Sequence, residues 1–261
     1  MMIKYFLNFL FLYPCFVIAT PIIEQNKGCI QEKLKIAIDI GHSPNRPGAI
    51  SARGISEYTF NKKIAELLYQ NLLQNGFKST FILNEINPEM TLNSRAKILN
   101  QKAADLVISI HHDSVQPHYL NQWEIDGENH HYSDRFKGFS VFFSNKNPKV
   151  EQSFQLAKAI GNELLQLQLK PTLHHAENIA GENRPLIDSD RGIYRFDHLI
   201  LLKKTKMPAV LVECGVIVNR DEEQLLSKDD HQKNLADALT KAITQFAIDN
   251  FPNYCVHAAR P

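Results

Sequence analysis

Tryptophan occurs once and cysteine four times in 261 residues. So few cysteines exclude a small scaffold stapled by disulfides. An excess of one charge is missing as well: Lys plus Arg total 29 and Asp plus Glu total 28, a formal net charge of +1. That balance excludes attachment to nucleic acid or an anionic membrane by bulk charge. No internal repeat and no Pro/Ser-rich linker divides the chain into modules. What is present is ordinary globular material, with 44% hydrophobic and 22% charged residues. Such a chain has ample residues for a core. Histidine is plentiful, at 11 residues, which raises the question of which of them form a site.

The first residues stand apart. Lys4 precedes an apolar stretch from Tyr5 to Ala19 that ends in small residues. The stretch is short of the roughly 20 apolar residues that a membrane span needs. A basic start, an apolar middle and Val17 and Ala19 at the end describe a secretory signal cleaved after Ala19. Residues 1–19 are therefore expected to be removed, leaving 20–261 as a single domain, exported to a periplasmic or extracellular space with no stable membrane insertion. Export permits disulfides. The mature chain would keep Cys29, Cys214 and Cys255, an odd number, so at most one internal pair forms. Cys29 and Cys255 lie near the two chain ends, which often sit close together, and a Cys29–Cys255 bridge is the expected pairing. Cys214 lies in an apolar run and reads as a buried small hydrophobe.

Downstream, strand-like and helix-like segments alternate. Strands are expected at 34–40, 77–83, 105–110, 138–144 and within 207–218. Helical spacing marks 57–75, 91–104, 149–167 and 231–246. This order predicts an α/β fold of three layers, a mainly parallel twisted sheet with helices on both faces. Two stretches, 114–137 and 171–197, are polar and irregular, and long loops in a compact domain are often functional.

Polar residues gather where the strands end, and open α/β sheets bind ligands beyond the carboxyl ends of their strands. His42 follows the first strand and His111-His112-Asp113 follows the third. His111 and His112 alternate in direction, so only one points into a given site. Glu57 opens a helix, where it could simply favour the helix dipole. Glu213 sits inside VLVECGV, where a carboxylate is costly unless paired or functional. Two histidines and a carboxylate at one sheet edge match a catalytic zinc site with an open fourth position. A further carboxylate nearby suits a general base.

These residues carry a resemblance. IAIDIGHSPNRPGAISARGISEYTFN (36–61), TLNSRAKILNQKAADLVISIHHDS (91–114) and RGIYRFDHLILLKKTKMPAVLVECGVIVNRDEEQLL (191–226) resemble the three motifs of zinc-dependent N-acetylmuramoyl-L-alanine amidases of the bacterial cell wall. The likeness spans about 36 to 246. It implies one zinc ion held by His42, Glu57 and His111, with Glu213 as the catalytic glutamate. Arg95 is then a structural residue on its helix. The implied reaction is hydrolysis of the amide between N-acetylmuramic acid and the L-Ala of the stem peptide, in peptidoglycan or in muropeptides. Two departures stand out. Ser43-Pro44 replaces a usual Gly, and His112 replaces a usual Ala.

Arg184, Arg191 and Arg195 are candidate clamps for stem-peptide carboxylates, and His112 could add a polar contact to substrate. His130-His131 and His174-His175 read as surface pairs in polar loops rather than as extra metal sites. Some relatives cover the site with a segment released by an activator protein. Residues 114–137 could do this, although a plain surface insertion is the simpler expectation. Rival readings are a zinc carboxypeptidase or deacetylase acting on wall fragments, and a non-catalytic wall-binding protein. Intact His42, Glu57, His111 and Glu213 argue against the last.

Overall fold

The computed structural model describes residue 28 and residues 30–252. The expected signal segment and the expected Cys29–Cys255 pair lie outside the described residues. Within them, β-branched apolar runs form the central strands β1 (Ile36–Ile40) and β3 (Leu106–Asp113). A short β2 (Phe81–Ile82) pairs parallel to β1, and β1 pairs parallel to β3. The expected strand at 77–83 shrinks to those two residues because Phe77 to Thr80 is a turn. There the Thr80 hydroxyl and N–H both donate to the Phe77 carbonyl, at 2.7 and 3.1 Å.

The remaining strands are β4 (Asn121–Ile125), β5 (Glu128–Tyr132), β6 (Ser140–Phe143), β7 (Leu186–Asp188), β8 (Ile193–Arg195) and β9 (Ala209–Val216). Seven of the nine form one mixed sheet in the order β2-β1-β3-β9-β6-β8-β7. The half from β2 to β9 is parallel, and β6 turns antiparallel to β9.

Helices cover both faces, as the alternation implied. Their bounds are α1 (Glu57–Gln74), α2 (Leu92–Lys102), α3 (Val150–Gln166), α4 (Ile200–Lys204), α5 (Arg220–Leu226) and α6 (Asp229–Asn250). Along β3, Leu106, Ile108 and Ile110 pack with Ile64 and Leu68 of α1, Leu156 of α3 and Leu239 of α6. Val107 points the other way, into a second core with Ala96 and Leu99 of α2 and Leu201 of α4. A strand buried on both faces has no polar side, which is why it reads as a continuous apolar run. Cys214 is a free, buried thiol in the first of these cores.

The irregular stretches hold more order than expected. Asp126 (φ 52°) and Gly127 (φ 80°) form the two-residue turn that joins β4 and β5 into a separate hairpin. Both positions need left-handed backbone, which Asp-Gly supplies cheaply. The hairpin docks through Trp123, whose indole N–H donates to the Ala52 carbonyl at 2.8 Å. Arg220 stacks over the Tyr132 ring at 3.9 Å. Segment 171–197 likewise contains β7, β8 and a 3₁₀ turn at His174–Ala176.

Candidate metal centre and its acid–base partner

The parallel half of the sheet brings three donors to the C-terminal edge. His42 lies two residues past β1 and adopts left-handed backbone, φ 65°. Such a conformation is uncommon outside glycine and needs support. Arg95 of α2 supplies it. Its guanidinium is buried, ion-pairs with Asp39 at 2.9 Å, and donates to the His42 carbonyl at 2.7 Å and to Ile40 O at 2.6 Å. Arg95 is thus structural, as expected, and its structure is that of the site.

Glu57 is the first residue of α1, behind the N-cap Ser56 that accepts the Thr59 N–H. Only 4% exposed, its carboxylate accepts the N–H of Ala49 at 3.1 Å and the side chain of Asn61 at 3.2 Å. One oxygen lies 3.0 Å from His42 Nε2 and the other 3.0 Å from His111 Nδ1. Burial alone would raise the Glu57 pKa, but hydrogen bonds and charge from His111 and His42 hold it well below the usual carboxylate range.

Two glycines make room. A Cβ on Gly41 would stand 2.5 Å from His111 Nε2. Gly48 has φ +78°, and a Cβ there would collide with Glu57 Oε2 and stand 2.7 Å from His42 Cδ2. Glycine alone meets both demands.

One donor atom from each of His42, Glu57 and His111 lies within 4.8 Å of the others. Zinc ligands at 2.0–2.1 Å in tetrahedral geometry stand about 3.3 Å apart. Each imidazole here lies 3.0 Å from one of the two Glu57 oxygens, near enough for all three residues to converge on one ion, and two imidazoles with a carboxylate are a zinc-type donor set. The cluster therefore fits the ion. It borders a cavity of about 290 Å³ lined by His42, Ser43, Arg46, Ser109, His111 and Leu211.

His111 is not beyond its strand, because β3 continues through it to Asp113. The extension matters: Glu213 of β9 is its register partner. Glu213 lines an adjoining cavity of about 230 Å³ with Asp113, Gln116, His175, Glu182 and Arg184, and Leu211 borders both cavities. Its Oε2 is buried without a hydrogen-bond partner. Burial, then the Asp113 and Glu57 carboxylates, push its pKa well above the ordinary range, with Arg184 opposing. Two carboxylates at one sheet edge are thus driven apart, one held as an anion and one inclined to keep a proton. That split is the mark of separate roles.

The other candidates divide. His112 is 2% exposed and lies on the α1 face of the sheet, its Nδ1 2.8 Å from Asn61 Oδ1. It supports the helix that carries Glu57 and borders neither cavity. Arg191 pairs with Asp188 at 2.8 Å and donates to Asn162 at 2.6 Å. Arg195 pairs with Asp197 at 3.3 Å. Neither lines either cavity, whereas Arg184 lines the second. Of segment 114–137, Ser114, Val115 and Gln116 line the second cavity and the rest line neither.

The reading of His174-His175 as a surface pair is overturned, since the two are 2% and 6% exposed. Their loop folds inward onto β3. The signal missed in the sequence is Glu182, seven residues on, which accepts from His175 and pulls the loop closed.

The family model described as N-acetylmuramoyl-L-alanine amidase matches residues 36–245. A protein of Buchnera aphidicola subsp. Baizongia pistaciae, provisionally named an N-acetylmuramoyl-L-alanine amidase, is 26% identical over 235 residues. The match spans 84% of this chain and 99% of that protein. Among solved structures, the amidase Ami1 from Mycobacterium smegmatis aligns with a TM-score of 0.64 at 19% identity, covering 84% of this chain and 98% of its own. The CwlD amidase from Clostridioides difficile, solved in complex with the GerS lipoprotein, aligns with a TM-score of 0.60 at 21% identity, covering 83% and 100%. The chain belongs to the N-acetylmuramoyl-L-alanine amidase family, the hydrolases that cut glycan from stem peptide in peptidoglycan.

Proposed function

We propose that His42, Glu57 and His111 hold one zinc ion and that Glu213 moves the proton in hydrolysis of the lactyl–L-Ala amide. The observation that carries this reading is the pairing of His111 with Glu213 across adjacent strands, next to a cluster whose donor atoms lie within 4.8 Å of one another. Bound there, zinc supplies Lewis-acid polarisation and makes water a better nucleophile at neutral pH. The chain's own residues do the rest. Glu213, in its carboxylate form, takes a proton from the attacking water as the new C–O bond forms. It returns that proton to the L-Ala nitrogen as the C–N bond breaks. The products are a free lactyl carboxylate and a free amine. A base in a poorly solvated pocket, with a raised pKa, suits both halves of this task. Asn61, His112 and Arg95 hold the ligands in place, as outer partners of metal ligands do.

The mature enzyme acts outside the cytosol, on intact wall or on its muropeptide fragments. Among the described residues no helix is long and apolar enough to cross a membrane. The C. difficile relative was solved with a lipoprotein bound, which supports a protein partner here too, in the role of an activator.

The test is mass spectrometry of peptidoglycan digested with the purified protein. Free stem peptides beginning with L-Ala are expected. Shortened peptides still joined to sugar would make it a peptidase instead. His42→Ala and His111→Ala should each lose activity and the zinc of this cluster. Full zinc content in either variant would remove these residues from the ligand set.

A further inference from the structure

A second cluster lies in the cavity wall beyond Glu213. Asp113, His174 and His175 are 9%, 2% and 6% exposed. His175 Nε2 stands 2.9 Å and His174 Nε2 3.3 Å from Asp113 Oδ2. Yet all three atoms are buried without a hydrogen-bond partner. The spacing is that of an ion pair or of donors gathered around one cation, and none of the three atoms is satisfied by a hydrogen bond within the protein.

The far side of each ring is fixed as well. His175 Nδ1 is 2.9 Å from Glu182 Oε2, and His174 Nδ1 is 2.7 Å from the Thr172 hydroxyl. A carboxylate can only accept, so the His175 Nδ1 carries the hydrogen. In the neutral ring Nε2 is then a bare lone pair, and it faces another acceptor, Asp113. Leaving such atoms buried and unpaired is costly. A cation among them resolves all three. A histidine that gives its second N–H to a carboxylate is also the usual arrangement around a bound metal.

We propose that Asp113, His174 and His175 form a second divalent-metal site, with zinc as the fitting ion. The imidazole–carboxylate separations of 2.9 and 3.3 Å lie at or just under the spacing of about 3.3 Å that tetrahedral zinc requires. Asp113 and His175 also line the cavity of about 230 Å³, which leaves room for water as a fourth ligand. The ion would pin loop 172–184 to β3. Through Glu182, which accepts from Arg184 at 2.6 Å and from Gln116 at 2.6 Å, it would also fix the polar wall opposite Glu213. Its role is positioning, and the site stands independently of what happens at His42, Glu57 and His111.

The experiment is metal counting on the whole mature chain. Protein loaded with zinc and desalted should carry two zinc ions by plasma mass spectrometry. Asp113→Asn and His174→Gln should each carry one, and so should His111→Ala; Asp113→Asn combined with His111→Ala should carry none. Circular dichroism confirms folding, and two separate conservative variants guard against one failing to fold. Cobalt-loaded protein gives a second readout, with visible absorption falling by about half in Asp113→Asn. One zinc in the wild type, unchanged by Asp113→Asn and lost in His111→Ala, would overturn the second site and leave an imidazolium–carboxylate pair in its place. Two zinc ions in every variant would overturn it as well, as adventitious binding elsewhere.

Discussion

Two clusters in this molecule use the same donor types, two imidazoles and a carboxylate, on different foundations. At the first, every donor sits at the edge of the regular framework: His42 just past β1, Glu57 opening α1, His111 within β3. The sheet fixes their backbones, and one buried arginine completes the job. At the second, only Asp113 belongs to a strand. His174 and His175 ride on a loop, which must bring its own supports in Thr172, Glu182, Arg184 and Gln116. The lesson is that a site on regular elements needs little beyond the fold, whereas a site on a loop must carry a hydrogen-bonded network with it.

The largest effect that would break this contrast comes from Glu213, which lies between the clusters. Glu213→Gln keeps the shape and removes the base. Amide hydrolysis should fall by about 10²–10⁴-fold, while zinc content stays at the wild-type value. If zinc is lost with the activity, Glu213 is itself a ligand, and the two clusters are one centre.

The supports should differ in cost. Arg95→Ala strands the buried Asp39 carboxylate, which otherwise pairs with Arg95 at 2.9 Å and accepts from Ser109 at 2.6 Å. Removing one partner of such a pair costs about 3–5 kcal/mol. Glu182→Ala removes an acceptor shared by His175, Arg184 and Gln116 in a loop that can relax, and should cost about 1–3 kcal/mol. Urea denaturation of both variants measures the gap. Equal losses would mean that the loop is as much a part of the framework as the sheet.

Legibility in the sequence follows the same division. The apolar runs of β1, β3 and β9 announce buried parallel strands, and a polar residue such as Glu213 inside such a run has few innocent explanations. His42, Glu57 and His111 were therefore readable, and the structure brings their donor atoms together. The hairpin was not read, although Asp126-Gly127 marks its turn, because its strands are polar on most positions and carry no apolar alternation to draw attention. His174 and His175 were not readable. Polarity implied a surface loop, and what buries them is a set of contacts to Asp113 and Glu182 that leaves no periodic trace. The partners of Arg191 and Arg195 were hidden for a related reason. Nearby aspartates, Asp188 and Asp197, already hold them.

A partly buried carboxylate offers the smallest and cleanest check, because no histidine bonds to it. Glu222 of α5 accepts the N–H of Val216 and of Gly138, both at 2.9 Å. Burial outweighs those bonds and raises its pKa from 4.5 to about 7. Glu57, more deeply buried but flanked by two imidazoles, is driven the other way. The sign of the consequence is fixed by linkage. With the folded-state pKa above the ordinary value, the stability contribution is fully present below pH 4.5 and is lost as pH rises through about 7. Between pH 5 and 8 the loss should amount to about 2 kcal/mol. Glu222→Gln cannot ionise and keeps an acceptor oxygen, so its unfolding free energy should vary less over that interval by about the same amount. An unchanged pH slope in the variant would mean that backbone N–H groups alone stabilise a buried anion here. The two imidazoles would then not be what sets Glu57 apart.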